Sequence, residues 1–173
     1  ASLQLPGISI ESAQLASDKL AMKERFLADG VPIPWFSLVK SAAHLRELTA
    51  THGLPLVIKP VDSRGSRGVL RLTSGVDLNW AYNIARENSP TGRVILERFL
   101  TGPQVSTESL IIEGEANTPG FADRNYEYLE RYAPYMIENG GELPSRLNSA
   151  TQKAVCNLVQ HASESMGVKN GVV

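Results

Sequence analysis

The residues best placed to do chemistry run from Leu56 to Gly68, as Leu56-Val57-Ile58-Lys59-Pro60-Val61-Asp62-Ser63-Arg64-Gly65-Ser66-Arg67-Gly68. The apolar start reads as a buried strand, and the strand delivers a lysine to its end. The loop that follows combines glycine, serine and arginine before a second apolar run begins at Val69. A cation at the foot of a small-residue loop is one way to hold phosphate. Gly65 and Gly68 permit unusual φ and place no side chain between the backbone N–H groups and an anion. The same residues also describe an ordinary β-hairpin with a polar loop, and both readings stay open on this stretch alone. It is neither a P-loop nor a dinucleotide fingerprint, because no Gly-Lys-Ser/Thr closes it and no helix clearly opens after it.

Two further groups bear on the choice. Glu97-Arg98-Phe99-Leu100 ends an apolar run and gives way to Gly102-Pro103-Gln104-Val105-Ser106-Thr107-Glu108. A strand ending in a carboxylate and unlocking into Gly-Pro is a hinge with exposed backbone groups. Glu97 there could accept from an exocyclic amine, while Arg98 and Leu100 offer backbone contacts and apolar cover for a planar base. The alternative for Glu97 is a surface carboxylate paired with a nearby arginine. Lys19 falls in the first turn of an expected helix, where the macrodipole disfavours a cation. Either an anionic ligand removes that conflict or the lysine is simply solvated.

The elements that must position these residues follow from periodicity and punctuation. A helix is expected from an N-cap at Ser17, with Leu20, Phe26 and Leu27 on one side and Gly30 as its C′ residue. Pro32 and Pro34 lead into a strand over Trp35–Val39. Ser41 caps a second helix that buries Leu45 and Leu48 and ends at Gly53. The strand to Lys59, the glycine loop and Val69–Leu72 come next. A helix opened by Ser74 carries Leu78, Tyr82 and Ala85, and a strand spans Val94–Leu100. This β-α-β-β-α-β order fits an antiparallel sheet with helices on one face. Beyond Pro103, Val105–Ile112 reads as a strand turning at Glu113-Gly114, with Phe121–Arg124 as its neighbour. Residues 125–146 read as a long structured loop. Asn148–Met166 is the clearest helix, with Val155, Leu158, Val159, Ala162 and Met166 as its apolar face, and Gly167 ends it. Cys156 lies in that helix as a packing residue.

Composition bounds the function classes. At 173 residues and 42% hydrophobic content the chain can bury one core or two small ones. Seventeen Lys+Arg against 18 Asp+Glu leave a net charge of −1, which gives nucleic acid no basic face. A single cysteine excludes an intrachain disulfide, and three scattered histidines make no zinc spacing. No signal peptide and no membrane-length apolar run is present. A cytoplasmic location is expected. Ala1 without a methionine and a final Gly171-Val172-Val173 read as boundaries inside a longer chain.

Three blocks in register now matter together: Asp18-Lys19…Met22-Lys23…Gly30-Val31-Pro32-Ile33-Pro34, then Val57-Ile58-Lys59-Pro60…Gly65-Ser66-Arg67-Gly68-Val69, then Glu97 through Glu108. In this order and spacing the chain resembles the ATP-grasp superfamily, in the carboxylate–amine ligase branch with carbamoyl-phosphate synthase large chains, biotin carboxylase and L-amino-acid ligases. The resemblance implies an α+β fold of two subdomains with mainly antiparallel sheets gripping ATP. Residues 1–16 would be a linker or remnant of an upstream domain, 17–100 the first subdomain, and 101–173 the start of an incomplete second one. Lys19 and Lys59 resemble the family's phosphate-binding cations. Gly65, Ser66, Arg67 and Gly68 resemble its flexible loop, and Glu97, Arg98, Phe99 and Leu100 its adenine hinge. Gln104 stands where many members place a Glu or His on the ribose, a departure in which a neutral amide can still bond a hydroxyl. Arg124 resembles a substrate-side region of amino-acid-ligase relatives, or is a strand-end arginine in a surface ion pair. Glu142-Leu143-Pro144-Ser145 could line the same area. Glu108 either supports the pocket from behind or is a plain strand carboxylate, and the second reading is preferred.

The resemblance further implies activation of a carboxylate as an acyl-phosphate by ATP, for attack by an amine, with Mg²⁺ held by residues beyond Val173. No residue of this chain is assigned a catalytic or metal-binding role, and the 173 residues alone are expected to be inactive. The rival is a non-catalytic nucleotide-binding or interaction module on the same fold, using Tyr126–Arg146 as a partner surface. A plain α+β domain without a nucleotide site requires all three blocks to be coincidence.

Overall fold

Two antiparallel four-stranded sheets organise the chain in the computed structural model, which describes residues 6–173. Contacts divide the molecule into a framing unit, made from the residues up to Ile33 with Pro103–Arg124 and Gly141–Val173, and an inserted unit, Pro34–Gly102 with Asn125–Gly140. Residues 1–5, part of the segment read as a linker, lie outside the described residues. The rest of that segment contains helix α1, Ile10–Ser17, capped by Ser9, whose side chain accepts from the Ser12 N–H.

Helix α2, Lys19–Ala28, follows after a single residue. Its N-cap is Asp18 rather than the expected Ser17: the Asp18 carboxylate accepts from the N–H groups of Leu20 and Ala21 at 3.0 Å each. Ser17 is occupied as the last residue of α1, where its hydroxyl donates to the Ala13 carbonyl. Gly30 has φ +73°, the left-handed conformation that ends the helix as expected. Leu27 is 65% exposed, so the side expected to be apolar is not wholly buried.

In the inserted unit, strand β1 (Phe36–Val39), helix α3 (Ala42–His52), strands β2 (Leu56–Pro60) and β3 (Leu70–Leu72), helix α4 (Leu78–Glu87) and strand β4 (Val94–Arg98) give the expected β-α-β-β-α-β order. The sheet runs β1-β4-β2-β3, antiparallel throughout. Ser41 caps α3 as read from the sequence, and Gly53 follows its end. Helix α4, however, starts at Leu78 with Asp77 as its cap, three residues past the expected Ser74, after a turn closed by the Val76 N–H donating to Thr73 O at 3.1 Å. The Asp77 carboxylate accepts there from the N–H groups of Asn79 and Trp80. Leu45, Leu56, Ile58, Leu70, Leu72, Val94 and Leu96 are fully buried with Ala81 and Ala85 of α4, so one sheet face packs on the helices. Each such leucine or isoleucine contributes about 1.5–3 kcal/mol by burial.

The segment 125–140 joins this unit as a structured loop. The Arg71 N–H donates to Pro134 O at 2.8 Å, Leu70 bridges Tyr135, and Trp80 meets Tyr135 edge-on at 6.2 Å.

The framing unit's sheet is β5 (Gln104–Ile112) and β6 (Glu115–Arg124), flanked by β7 (Gly141–Glu142) and β8 (Gly171–Val172). Positive φ at both Glu113 (+53°) and Gly114 (+91°) makes the two-residue turn that joins β5 to β6. Pro119, which cannot donate, sits where the register slips between Glu108 and Leu110. Helix α5, Ser149–Ser165, has Asn148 as N-cap and Gly167 past its end, as expected. Its Leu158 is 39% exposed, and Ser163 and Ser165 are buried in its place. Helical hydroxyls make this possible: Ser163 donates to Val159 O, and Ser165 to the Asp29 carboxylate at the end of α2. Gln160 pins α5 to the hairpin tip, accepting from Ala116 N–H and donating to Gly114 O. No helix of the described residues is long and apolar enough to cross a membrane.

Candidate functional site

Strand alternation sorts the inserted unit's side chains into two faces. Leu56, Ile58, Leu96 and Val94 pack on the helices. The opposite face carries the row Phe36, Glu97, Val57 and Arg71, in which each residue is the register partner of the next. The adjacent row carries Leu38, Ile95 and Lys59. Lys59 and Glu97 are therefore diagonal neighbours on one face, and Lys59 Nζ lies 2.7 Å from Glu97 Oε1. Glu97 is only 7% exposed. The sequence left open whether Glu97 faces a base or pairs with a surface arginine; the structure pairs it with a lysine, in a buried position between Phe36 and Val57. A carboxylate and an ammonium held there among apolar side chains form the kind of surface that receives a planar, partly polar ligand.

The loop after β2 is shaped by its backbone. Gly65, Ser66 and Gly68 have φ of +65°, +56° and +71°. Gly68 is required twice over, since a Cβ there would lie 2.8 Å from Asn88 Cβ and 2.9 Å from Pro60 Cγ. At Gly65 a Cβ would meet nothing within 4 Å, so only its φ demands glycine. Ser66 accepts a conformation unusual for a residue with a side chain, which concentrates strain in the loop. Arg67 is exposed, and its Nε donates to Arg64 O at 3.2 Å. The loop's foot is tied down by Asp62, which accepts from Ser89 Oγ and from both the N–H and Oγ1 of Thr91. Burial pushes the Asp62 carboxyl up, but those hydrogen bonds outweigh it and hold it below the ordinary value.

The hinge residues divide their work. Arg98 turns its side chain to the helix side, donating to His52 O at 2.8 Å, while its N–H donates to Trp35 O at 3.0 Å. Its guanidinium is thus a clamp, and only its backbone remains hinge-like. Leu100 is 66% exposed. The Phe99 ring lies under the Arg71 guanidinium, 5.5 Å from centroid to Cζ.

Arg71 is a residue that the sequence reading passed over. It is 7% exposed and makes a two-pronged contact with Glu130, at 2.6 Å from Nη1 and 2.8 Å from Nη2. The hydrogen bond to Glu130 raises the Arg71 pKa and lowers that of Glu130. The available signal was a charged residue inside the apolar triplet Leu70-Arg71-Leu72; Glu130, 59 residues away, gave none.

The remaining expected residues belong to the framing unit. Lys19 is the first residue of α2, beside its Asp18 cap. Gln104 and Arg124 are register partners across β5 and β6, both exposed. Beside them, Asp123 accepts from Ser145 Oγ and from the Arg146 N–H, which fixes the turn after β7 and holds the Asp123 carboxyl below its usual range. Glu142 is ion-paired with Arg146. Glu108 lies opposite Gly120 in the hairpin. Among the described residues no group of three or more His, Cys, Asp or Glu is assembled as a metal site.

Comparison with known proteins gives the same architecture. The chain is 26% identical over 168 residues to a D-alanine–D-alanine ligase of Acidovorax ebreus, covering 94% of this chain and 49% of that protein. It superposes on an L-amino acid ligase from Bacillus licheniformis with a TM-score of 0.78 at 23% identity, covering 99% of this chain and 39% of that one. Biotin carboxylase from Campylobacter jejuni gives a TM-score of 0.79 at 22% identity, covering 94% and 37%. The chain thus spans about half the length of the curated relatives it matches. The family model for the ATP-grasp domain matches residues 16–173, and with the antiparallel α+β architecture described above this chain belongs to the ATP-grasp family.

Proposed function

We propose that this chain is the ATP-binding part of a ligase that activates a carboxylate as an acyl-phosphate for attack by an amine. The observation that carries the reading is the Lys59–Glu97 pair at 2.7 Å on the helix-free face of the inserted sheet, directly before the left-handed glycine loop. Relatives named as ligases of two amino acids support the reaction class.

In the proposed roles, Glu97 accepts from the exocyclic amine of adenine, and the backbone of Arg98 to Leu100 borders the base. Lys59 offsets charge on the α- and β-phosphates, and the N–H groups of Gly65 to Gly68, with Arg67, close on the phosphates. Lys19, Gln104 and Arg124 of the framing unit are assigned to phosphate, ribose and substrate respectively. The substrate's carboxylate oxygen attacks the γ-phosphorus, and the bond to the β-bridging oxygen breaks to release ADP. The amine then attacks the acyl carbon, a C–N bond forms, inorganic phosphate leaves with the C–O bond electrons, and the proton lost from the amine passes to that phosphate. These residues supply positioning and charge compensation, which is where such transfers gain most. No side chain need act as a nucleophile.

Calorimetric titration of the chain with ATP tests the first half of this reading. Binding that is lost in Lys59→Ala is the expected result. A folded protein whose ATP affinity ignores that substitution would remove Lys59 from the site.

A further inference from the structure

The inserted unit buries a second cation on the proposed nucleotide face, and neither the phosphates nor the base reading uses it. Arg71 stands in the same register row as Glu97, with Val57 between them. Its guanidinium lies over the ring of hinge residue Phe99 and bonds the carboxylate of Glu130. The Arg71 Nε is buried without a hydrogen-bond partner among the described residues. Its two contacts differ in kind. The guanidinium plane over an aromatic ring fixes that ring's position, and the two-pronged carboxylate contact fixes the guanidinium. A buried guanidinium whose Nε–H is unmatched among the described residues is a costly way to hold a strand that is already apolar on its other face. The placement makes better sense as a support for the hinge.

We propose that Arg71 is a positioning residue of the base pocket: held by Glu130, it backs the Phe99 ring and sets the hinge against which the purine lies. The inference rests on the nucleotide reading above, and it makes base discrimination depend on the segment 125–140. The role is specific to the base. Loss of Arg71 should disturb the contact between Glu97 and the exocyclic amine while leaving the Lys59 end of the site in place.

The test titrates the chain with ATP and with inosine triphosphate, which has a carbonyl where adenine has its amine. Wild type, Lys59→Ala, Arg71→Met, Arg71→Lys and Glu130→Gln are compared. Wild type should prefer ATP. Arg71→Met should weaken ATP about tenfold and inosine triphosphate less than about twofold, so that the preference shrinks. Arg71→Lys, which keeps the charge but cannot grip a carboxylate in two places or lie flat on a ring, should recover little. Glu130→Gln should lose several-fold in the same direction, and it carries the test by itself if Arg71→Met fails to fold. Lys59→Ala should weaken both nucleotides together. Unchanged preference in the Arg71 and Glu130 variants, with ATP binding still sensitive to Lys59→Ala, overturns the proposal and leaves the nucleotide reading standing. No ATP binding by wild type, or no preference over inosine triphosphate, overturns the base reading at Glu97 and this proposal with it.

Discussion

Replacing Lys59 by Met takes the ammonium away from Glu97, which is 7% exposed, and replacing Glu97 by Gln takes the carboxylate away from Lys59. Breaking one side of a fully sealed ion pair costs about 3–5 kcal/mol, because the remaining charge has lost water and its opposite charge. Here the Lys59 side chain keeps 20% of its exposure, so each single substitution should cost about 2 kcal/mol. With a urea dependence of about 2 kcal/mol per molar, that lowers the unfolding midpoint by about 1 M. The double variant Lys59→Met/Glu97→Gln removes both charges and leaves a neutral amide beside a thioether of similar length. It should lie within about 1 kcal/mol of wild type, a coupling of about 3 kcal/mol between the two sites. ATP titration should behave differently, with binding lost in both singles and not restored in the double. Stability and ligand binding therefore separate in one set of four proteins. If the double variant loses the sum of the singles, the pair is not energetically coupled and the argument from its geometry fails. If the double binds ATP as wild type does, the pair is only a structural element.

Two other expectations follow. Gly68→Ala should lower stability by about 2–4 kcal/mol, from left-handed φ and a Cβ forced to 2.8 Å of Asn88, whereas Gly65→Ala meets open space and should cost about 1 kcal/mol; equal urea midpoints for the two would refute the assignment of Gly68 as doubly constrained. For pH, Asp62 and Glu130 are both depressed from ordinary values of 3.8 and 4.5. A depressed carboxylate contributes stability that is complete above its unfolded value and is lost as pH falls through its folded value. The urea midpoint should thus decline below about pH 4.5, with a shallower decline in Asp62→Asn and in Glu130→Gln than in wild type; parallel acid profiles in all three would contradict the anchoring roles given to these groups.

Much of this protein was legible in the residues themselves. Short apolar runs located β1, β2 and β4, and Ser41, Gly53, Asn148 and Gly167 marked helix ends because capping and left-handed φ are local properties. The order of the lysine, glycine loop and hinge carboxylate also needed no fold to be read. Local competition decided the misplaced caps: Asp18 and Asp77 each accept from two N–H groups, while Ser17 had already bonded backward into α1. Other features depended on register and long-range pairing. Only the antiparallel alignment of β2 with β4 puts Lys59 and Glu97 on one face and Arg98 on the other, since a shift by one residue would exchange them. The Arg71–Glu130 pair joins residues that are distant in the chain and unremarkable alone. Sequence determined which groups exist and where the chain turns, because those choices are made within a few residues; tertiary structure decided which groups meet, because strand pairing and loop closure bring together residues that no local pattern links.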